Sequence, residues 1–190
     1  MGHLRLITAG ESHGAALTAI LEGLPAGLRL TRAAIDEQLA RRQRGYGRGD
    51  RMKIETDRAA VLSGMRFGET LGSPLTLQVA NRDFANWTER MDPFGEPAGP
   101  RVTAVRPGHA DLTGVLKYDR SDARDILERS SARETTMRVA AGAVCRQLLV
   151  QLGVTIASHV TEIGGEAVDP AAVRDEDIGV TNSSDLNCCD

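Results

Sequence analysis

The run Val139-Ala140-Ala141-Gly142-Ala143 constrains the fold most, because it lies inside a long apolar helical pattern and is small on nearly every face. Small residues all round imply close contact with neighbouring elements, so this helix is expected to be central and buried. The pattern starts at Ser121 or Asp122 and continues to about Leu152, with Gly153 as its stop. Ile126, Leu127, Met137, Val144 and Leu148 form its apolar side. Burial makes Arg129, Ser130, Ser131, Arg133 and Glu134 costly there unless something pairs with them. Ser130 and Arg133 share a helical face at i,i+3, and Arg129 and Arg133 are spaced i,i+4. Such a set can hold an anion near a helix N-terminus; pairing of the arginines with neighbouring acids is the alternative.

The segments before this helix read as strands and turns. Leu4 to Thr8 is an opening strand that runs into the turn Ala9-Gly10-Glu11-Ser12-His13-Gly14. Thr31 is the N-cap of a helix to about Arg41, with Ile35 and Leu39 on one face. Lys53-Ile54-Glu55-Thr56 and Leu75 to Val79 alternate as strands, and residues 61–70 between them fit an antiparallel hairpin system. Residues 82–104 form an irregular excursion containing the only tryptophan, Trp87. Beyond Gly153, Val154 to Ile163 reads as a strand that includes His159, and residues 175–190 are polar and weakly patterned.

The helix begun at Thr31 ends in Arg41-Arg42-Gln43-Arg44-Gly45-Tyr46-Gly47-Arg48-Gly49-Asp50-Arg51. Arginine offers a planar fork of donors for phosphate or carboxylate, and glycine lets backbone approach an anion closely. Two histidines in glycine-flanked turns accompany it, His13 and, in Arg106-Pro107-Gly108-His109-Ala110-Asp111, His109. Each is either a structural hydrogen-bonder or a group that gives and takes protons near neutrality. Together with the arginines they suggest acid–base chemistry on an anionic substrate.

Composition excludes several other classes. The 190 residues suit one domain, and with 41% hydrophobic and 26% charged residues they suit a soluble globular protein. No apolar run is long enough to span a bilayer and no signal peptide opens the chain, so a cytoplasmic location is expected. All but two of the 23 Lys+Arg residues are arginine, a bias that a GC-rich genome produces by itself. A net charge of −3 and only 3% aromatic residues argue against an RNA-binding domain built on the arginine patch. The cysteines Cys145, Cys188 and Cys189 show neither metal spacing nor a disulfide framework. The four histidines lack metal-ligand spacing, and dinucleotide, P-loop and GxSxG signatures are absent.

Four segments together resemble the chorismate synthase family: Gly10 to Gly14, Arg41 through Arg48 to Glu55, Arg106 to Asp111, and Glu128-Arg129-Ser130-Ser131-Ala132-Arg133-Glu134-Thr135. They occur in family order, and the likeness extends at least to the segment around His159. The resemblance implies an α+β sheet-helix-sheet sandwich with a long central buried helix. It also implies a lyase of the shikimate pathway, acting in aromatic amino acid biosynthesis. Such an enzyme converts 5-enolpyruvylshikimate 3-phosphate to chorismate by anti-1,4-elimination of phosphate and requires reduced FMN. By analogy His13 protonates the departing phosphate, and His109 sits near the reduced flavin. Ser12, Arg42, Arg48, Arg51, Arg106 and Arg133 would bind the substrate, and Arg129, Ser130 and Ser131 would contact FMN. In some members Arg42 and Arg48 also serve NADPH.

The family's chains are considerably longer, so the sequence is expected to be the N-terminal portion of one, incomplete at its C-terminus. The complete form is expected to be a homotetramer, with no nucleic-acid or membrane partner. The rival reading is a non-catalytic anion- or flavin-binding fragment of the same fold.

Overall fold

Alternation in two apolar segments builds the floor on which the site rests. In the computed structural model of the chain, residues 3–44, 54–169, 171–180, 184 and 186–189 are described. β1 (Arg5–Ala9), β2 (Ala16–Glu22), β3 (Ala60–Ser63) and β6 (Leu75–Ala80) form an antiparallel sheet in the order β1-β2-β6-β3. Its register sets Leu17 opposite Val79, Ala19 opposite Leu77 and Leu21 opposite Leu75. All six are buried, whereas Ile7 and Ile20, paired on the other face, are exposed. Period-two alternation thus gives the sheet one core face.

Two helices cover that face. α1 (Arg32–Gln43) starts as expected at Thr31, whose side chain accepts a hydrogen bond from the Ala34 N–H at 3.3 Å. It buries Ile35 and Leu39 against α4 (Thr135–Gln151), which buries Met137, Ala140, Ala141, Ala143 and Val144. The small residues permit the close helix–helix and helix–sheet approach that their sequence implied, although Gly142 itself faces outward. A hairpin joins β4 (Met65–Arg66) to β5 (Glu69–Thr70). Its turn, Phe67-Gly68, has both φ values positive, at 53° and 83°, which suits the twist of a two-residue hairpin.

Three local expectations need correction. The pattern from residue 121 to 152 is not one helix: α3 (Arg124–Leu127) ends, the chain turns through Glu128 to Ser131, and a 3-10 turn at Ala132–Glu134 leads into α4. Ser131 is extended, with ψ 147°, and its hydroxyl accepts from the Arg133 N–H at 3.3 Å. Serine hydroxyls compete for backbone partners and so favour helix starts over interiors. Ser130, Arg133 and Arg129 are therefore not on one helical face.

The segment ending Ile54-Glu55-Thr56 forms no strand over its described residues, and its polarity is inverted. Ile54 is half exposed while Glu55 and Asp57 are buried, because buried Arg133 requires their charge. Val154 to Ile163 is mostly irregular, since Val154 and Ile156 lie exposed. Only Glu162–Ile163 (β7) pairs, with Glu166–Ala167 (β8), and Val160 bridges to Cys188.

A helix unanticipated by the sequence reading, α2 (Asp111–Tyr118), follows the Arg106 turn. A last short helix, α5, spans Asp175–Val180. No described helix is long and apolar enough to cross a membrane. The architecture is α+β, with two two-stranded hairpins beside the main sheet.

Candidate active site

The β1–β2 turn carries His13, and close packing sets its shape. A Cβ on Gly10, whose φ is +110°, would lie 2.5 Å from the Ala16 carbonyl oxygen, so only glycine lets the strands close this tightly. Asn81, buried at the end of β6, donates from Nδ2 to the carbonyls of Glu11 (3.1 Å) and Gly14 (2.7 Å) and fastens the turn to the sheet. Behind Asn81 lies Arg133. Its Nε donates to Asn81 Oδ1 at 2.9 Å, and its Nη1 to Asp57 Oδ1 at 2.6 Å. Glu55 Oε2 stands 3.5 Å from Nη2. Arg133 thus neutralises two buried carboxylates while supporting the turn.

His13 is clamped on several sides. Glu128, in the break between α3 and α4, places Oε1 and Oε2 at 2.8 and 2.9 Å from His13 Nδ1. The same carboxylate accepts the His13 backbone N–H at 2.8 Å, and the Glu128 carbonyl accepts the Ser12 N–H at 2.9 Å. Arg124, one helical turn earlier, donates to Glu128 Oε1 at 3.0 Å. Trp87 from the 82–104 excursion stacks on the imidazole, with centroids 3.9 Å apart and planes 27° from parallel. The Arg124 guanidinium lies 4.9 Å from the centroid of the same indole, within cation–π range. On the other edge of the imidazole, Nε2 stands 3.9 Å from Asp83 Oδ2.

His109 is held differently. Arg106 forms a two-pronged pair with Asp111, Nε to Oδ2 and Nη2 to Oδ1 each at 2.8 Å, and its backbone N–H also donates to Oδ2 at 3.1 Å. These hydrogen bonds hold the Asp111 carboxyl down at about 2, and they raise the Arg106 pKa in turn. Arg106 Nη2 lies 3.1 Å from His109 Nδ1. Guanidinium only donates, so Nδ1 accepts there, the Asp111 Oδ1 at 3.5 Å from the same nitrogen being the longer contact and already paired with Arg106, and in a neutral ring the proton falls to Nε2. A carboxylate only accepts, so at His13 the proton falls to Nδ1. The hydrogen-bond network therefore assigns the two imidazoles opposite tautomers.

The two histidine clusters are carried by packed helices. Gly114 in α2 packs so closely on α3 that a Cβ there would lie 2.4 Å from Ile126 Cγ2. The charge of Glu128 contributes to raising the Arg106 pKa.

A cavity of about 470 Å³ is lined by Tyr118, Arg120, Asp125, Ile126, Arg129 and Ser130. Arg129 Nη2 is used, donating to the Thr8 carbonyl (2.9 Å) and hydroxyl (2.6 Å). Arg129 Nη1 and Ser130 Oγ are buried without a hydrogen-bond partner among the described residues. Unsatisfied buried polar atoms are rare, and both belong to residues that line this cavity.

Across the whole chain, residues 4–190 match the family model described as chorismate synthase. The chain belongs to the chorismate synthase family. Chorismate synthase of Trichlorobacter lovleyi is 58% identical over 98% of this chain and 48% of its own. That of Chlorobaculum tepidum is 56% identical over 90% of this chain and 44% of its own. A crystal structure of chorismate synthase superposes with a TM-score of 0.75 at 41% identity, covering 98% of this chain and 49% of that one. The chain spans about half the length of the curated relatives it matches.

Within this family member the expected site residues separate. His13 and Ser12 meet Glu128 directly, Arg133 braces their turn through Asn81, and Arg106 and His109 form a second cluster with Asp111. Arg42 shares Asp57 with Arg133, its Nη1 3.4 Å from Oδ2, while its guanidinium also donates to Thr135 Oγ1 (3.1 Å) and the Ala132 carbonyl (3.0 Å) and so joins α1 to the start of α4. Ser131 is a helix cap, while Arg129 and Ser130 line the cavity. Arg48 and Arg51 lie outside the described residues. Sequence reasoning gave no role to Glu128, Trp87, Asn81 or Asp57. The spacing of Arg124 and Glu128 was a usable signal for a charged pair. Nothing local marked the contact of Trp87 with His13, which are 74 positions apart in the chain.

Proposed function

We propose that the complete protein containing this chain is a chorismate synthase. It eliminates phosphate from 5-enolpyruvylshikimate 3-phosphate, with reduced FMN required. The observation that carries this reading is the His13–Glu128 pair, in which the ring is anchored through Nδ1 and so presents Nε2 as its proton-exchanging atom. In the elimination the C–O bond to phosphate breaks and a ring proton is lost. A charged His13 donates from Nε2 to the departing phosphate, which lowers the barrier to its leaving. His109 offers an Nε2 proton from the opposite tautomer.

Phosphate and two carboxylates need several fixed cations, and Arg48 and Arg51, with Ser12, are assigned to them. Arg106 and Arg133, committed to Asp111 and Asp57, act on substrate by holding the turns that carry the histidines. Arg42 acts likewise by joining α1 to α4. The unpartnered Arg129 Nη1 and Ser130 Oγ fit the edge of the flavin, and these two residues hold it. Reduced FMN, when bound, supplies electron density to the substrate ring. A cytoplasmic homotetramer is the assembly this reading implies, checked by sedimentation of the complete protein.

The test is an anaerobic assay of the complete protein with the substrate and chemically reduced FMN, following phosphate release. Release with reduced but not oxidised FMN is the expected result. Binding of substrate and flavin with no release would replace this reading with that of a non-catalytic binding protein.

A further inference from the structure

The carboxylate of Glu128 is 3% exposed, yet it carries a full charge's worth of partners: the His13 ring, the His13 backbone and Arg124. A buried carboxylate so surrounded accepts and cannot donate, which leaves His13 Nδ1 no choice but to keep its proton. Trp87 covers one face of the ring and so opposes the flip that would exchange its two nitrogens. The groups facing the imidazole are then Glu128 at Nδ1 and Asp83 at 3.9 Å from Nε2, with Arg124 behind Glu128.

We infer that Glu128 is the positioning residue for His13, fixing Nδ1 as the permanently protonated nitrogen and making Nε2 the single atom through which the ring gives up its proton. The inference rests on the reading of His13 as the acid that protonates the leaving phosphate. Glu128 itself touches neither phosphate nor flavin; it acts through the ring. After donation the ring is left neutral with its proton on Nδ1, a form that Glu128 already binds. No rotation of the imidazole is required between turnovers, and the charge on Glu128 offsets the positive ring beforehand.

The test uses the complete protein. Long-range ¹⁵N–¹H correlation spectra of the unaltered protein, taken where His13 is neutral, should show the ring proton on Nδ1. A proton on Nε2 overturns the inference without any variant having to fold. In turnover, Glu128→Gln keeps the shape but presents an amide, and kcat should fall by about a hundredfold, the lower range for loss of general acid catalysis, with little change in KM. His13→Ala combined with Glu128→Gln should be no slower than His13→Ala alone, as expected of a residue that acts through the ring. Glu128→Asp should recover part of the loss together with the Nδ1 proton signature. Wild-type kcat in Glu128→Gln, beside a slow His13→Ala, overturns the inference while leaving the proposed function standing. Full turnover in His13→Ala overturns the acid assignment itself, and with it the catalytic use of Glu128, whatever tautomer the spectra show.

Discussion

Asp57 meets Arg133 at 2.6 Å with their side chains 0% and 3% exposed, and Glu55 closes on the same guanidinium at 3.5 Å. Two carboxylates from one irregular segment thereby share one arginine from the turn before α4, and Arg42 Nη1 stands 3.4 Å from Asp57 as a second cation. Removing Arg133 strips its charge from both buried acids and leaves Asp57 the longer contact with Arg42, which costs more than losing the attraction alone. Arg133→Met should destabilise the protein by about 3–5 kcal/mol, the range for breaking a buried pair, read as a lower urea midpoint. Arg133→Lys should recover little, because an ammonium lacks the fork that reaches Asp57 and Asn81 together. An unchanged midpoint in Arg133→Met would show that the cluster contributes nothing net.

Trp87 is the only tryptophan, so its fluorescence reports on the ring stacked against it. An imidazole at van der Waals distance quenches indole emission. Emission should therefore be brighter in His13→Asn than in the unaltered protein and unchanged in His109→Asn. Trp87→Leu should keep most of the burial yet lose the ring–ring contact, about 0.5–1.5 kcal/mol by thermal unfolding.

How far the sequence foretold this arrangement depends on the range of each interaction. The Thr31 cap, the Phe67-Gly68 hairpin and the alternation of Leu75 to Val79 are local, and the pattern of neighbours declared them. The α3–α4 break was concealed because apolar spacing continues across it. Only the paired serines hinted that hydroxyl–backbone bonding would win over helix propensity there. Charge ordinarily faces water, so nothing local marks Glu55 and Asp57 as buried, and the cation that reverses this lies 76 positions from Asp57. Glu128 stood inside a recognised motif, but its function depends on a turn 115 positions away.

Asp111 makes the acid sensitivity of the second cluster predictable. Its carboxyl is held at about 2 against an ordinary value of 3.8, chiefly by hydrogen bonds from Arg106. Because the folded value is depressed, the unfolded chain takes up the proton more readily between about pH 4 and pH 2. The stability contributed by the pair is therefore fully present above the ordinary carboxylate range and lost as pH falls towards 2. Asp111→Asn should be less stable than the unaltered protein at neutral pH, and the gap should narrow across that acid window. Denaturation midpoints measured from pH 7 down to pH 2 provide the check; a gap constant with pH would place the acid sensitivity elsewhere.

Ser130 presents the opposite balance, between stability and binding. Its hydroxyl is buried without a partner among the described residues, and the residue lines a cavity together with Arg129, whose Nη1 is likewise unpartnered there. An unsatisfied buried hydroxyl costs about 1–3 kcal/mol, and a ligand that supplies the missing partner recovers that cost on binding. Ser130→Ala removes the cost in the free protein and the gain in the bound one. The variant should be more stable than the parent without flavin, by about 1 kcal/mol, and should bind reduced FMN roughly tenfold more weakly. Thermal unfolding with and without reduced FMN under anaerobic conditions measures both effects in one experiment. A variant destabilised in the free state would mean that the hydroxyl is already satisfied, and that the cavity wall is not arranged for a ligand's polar edge.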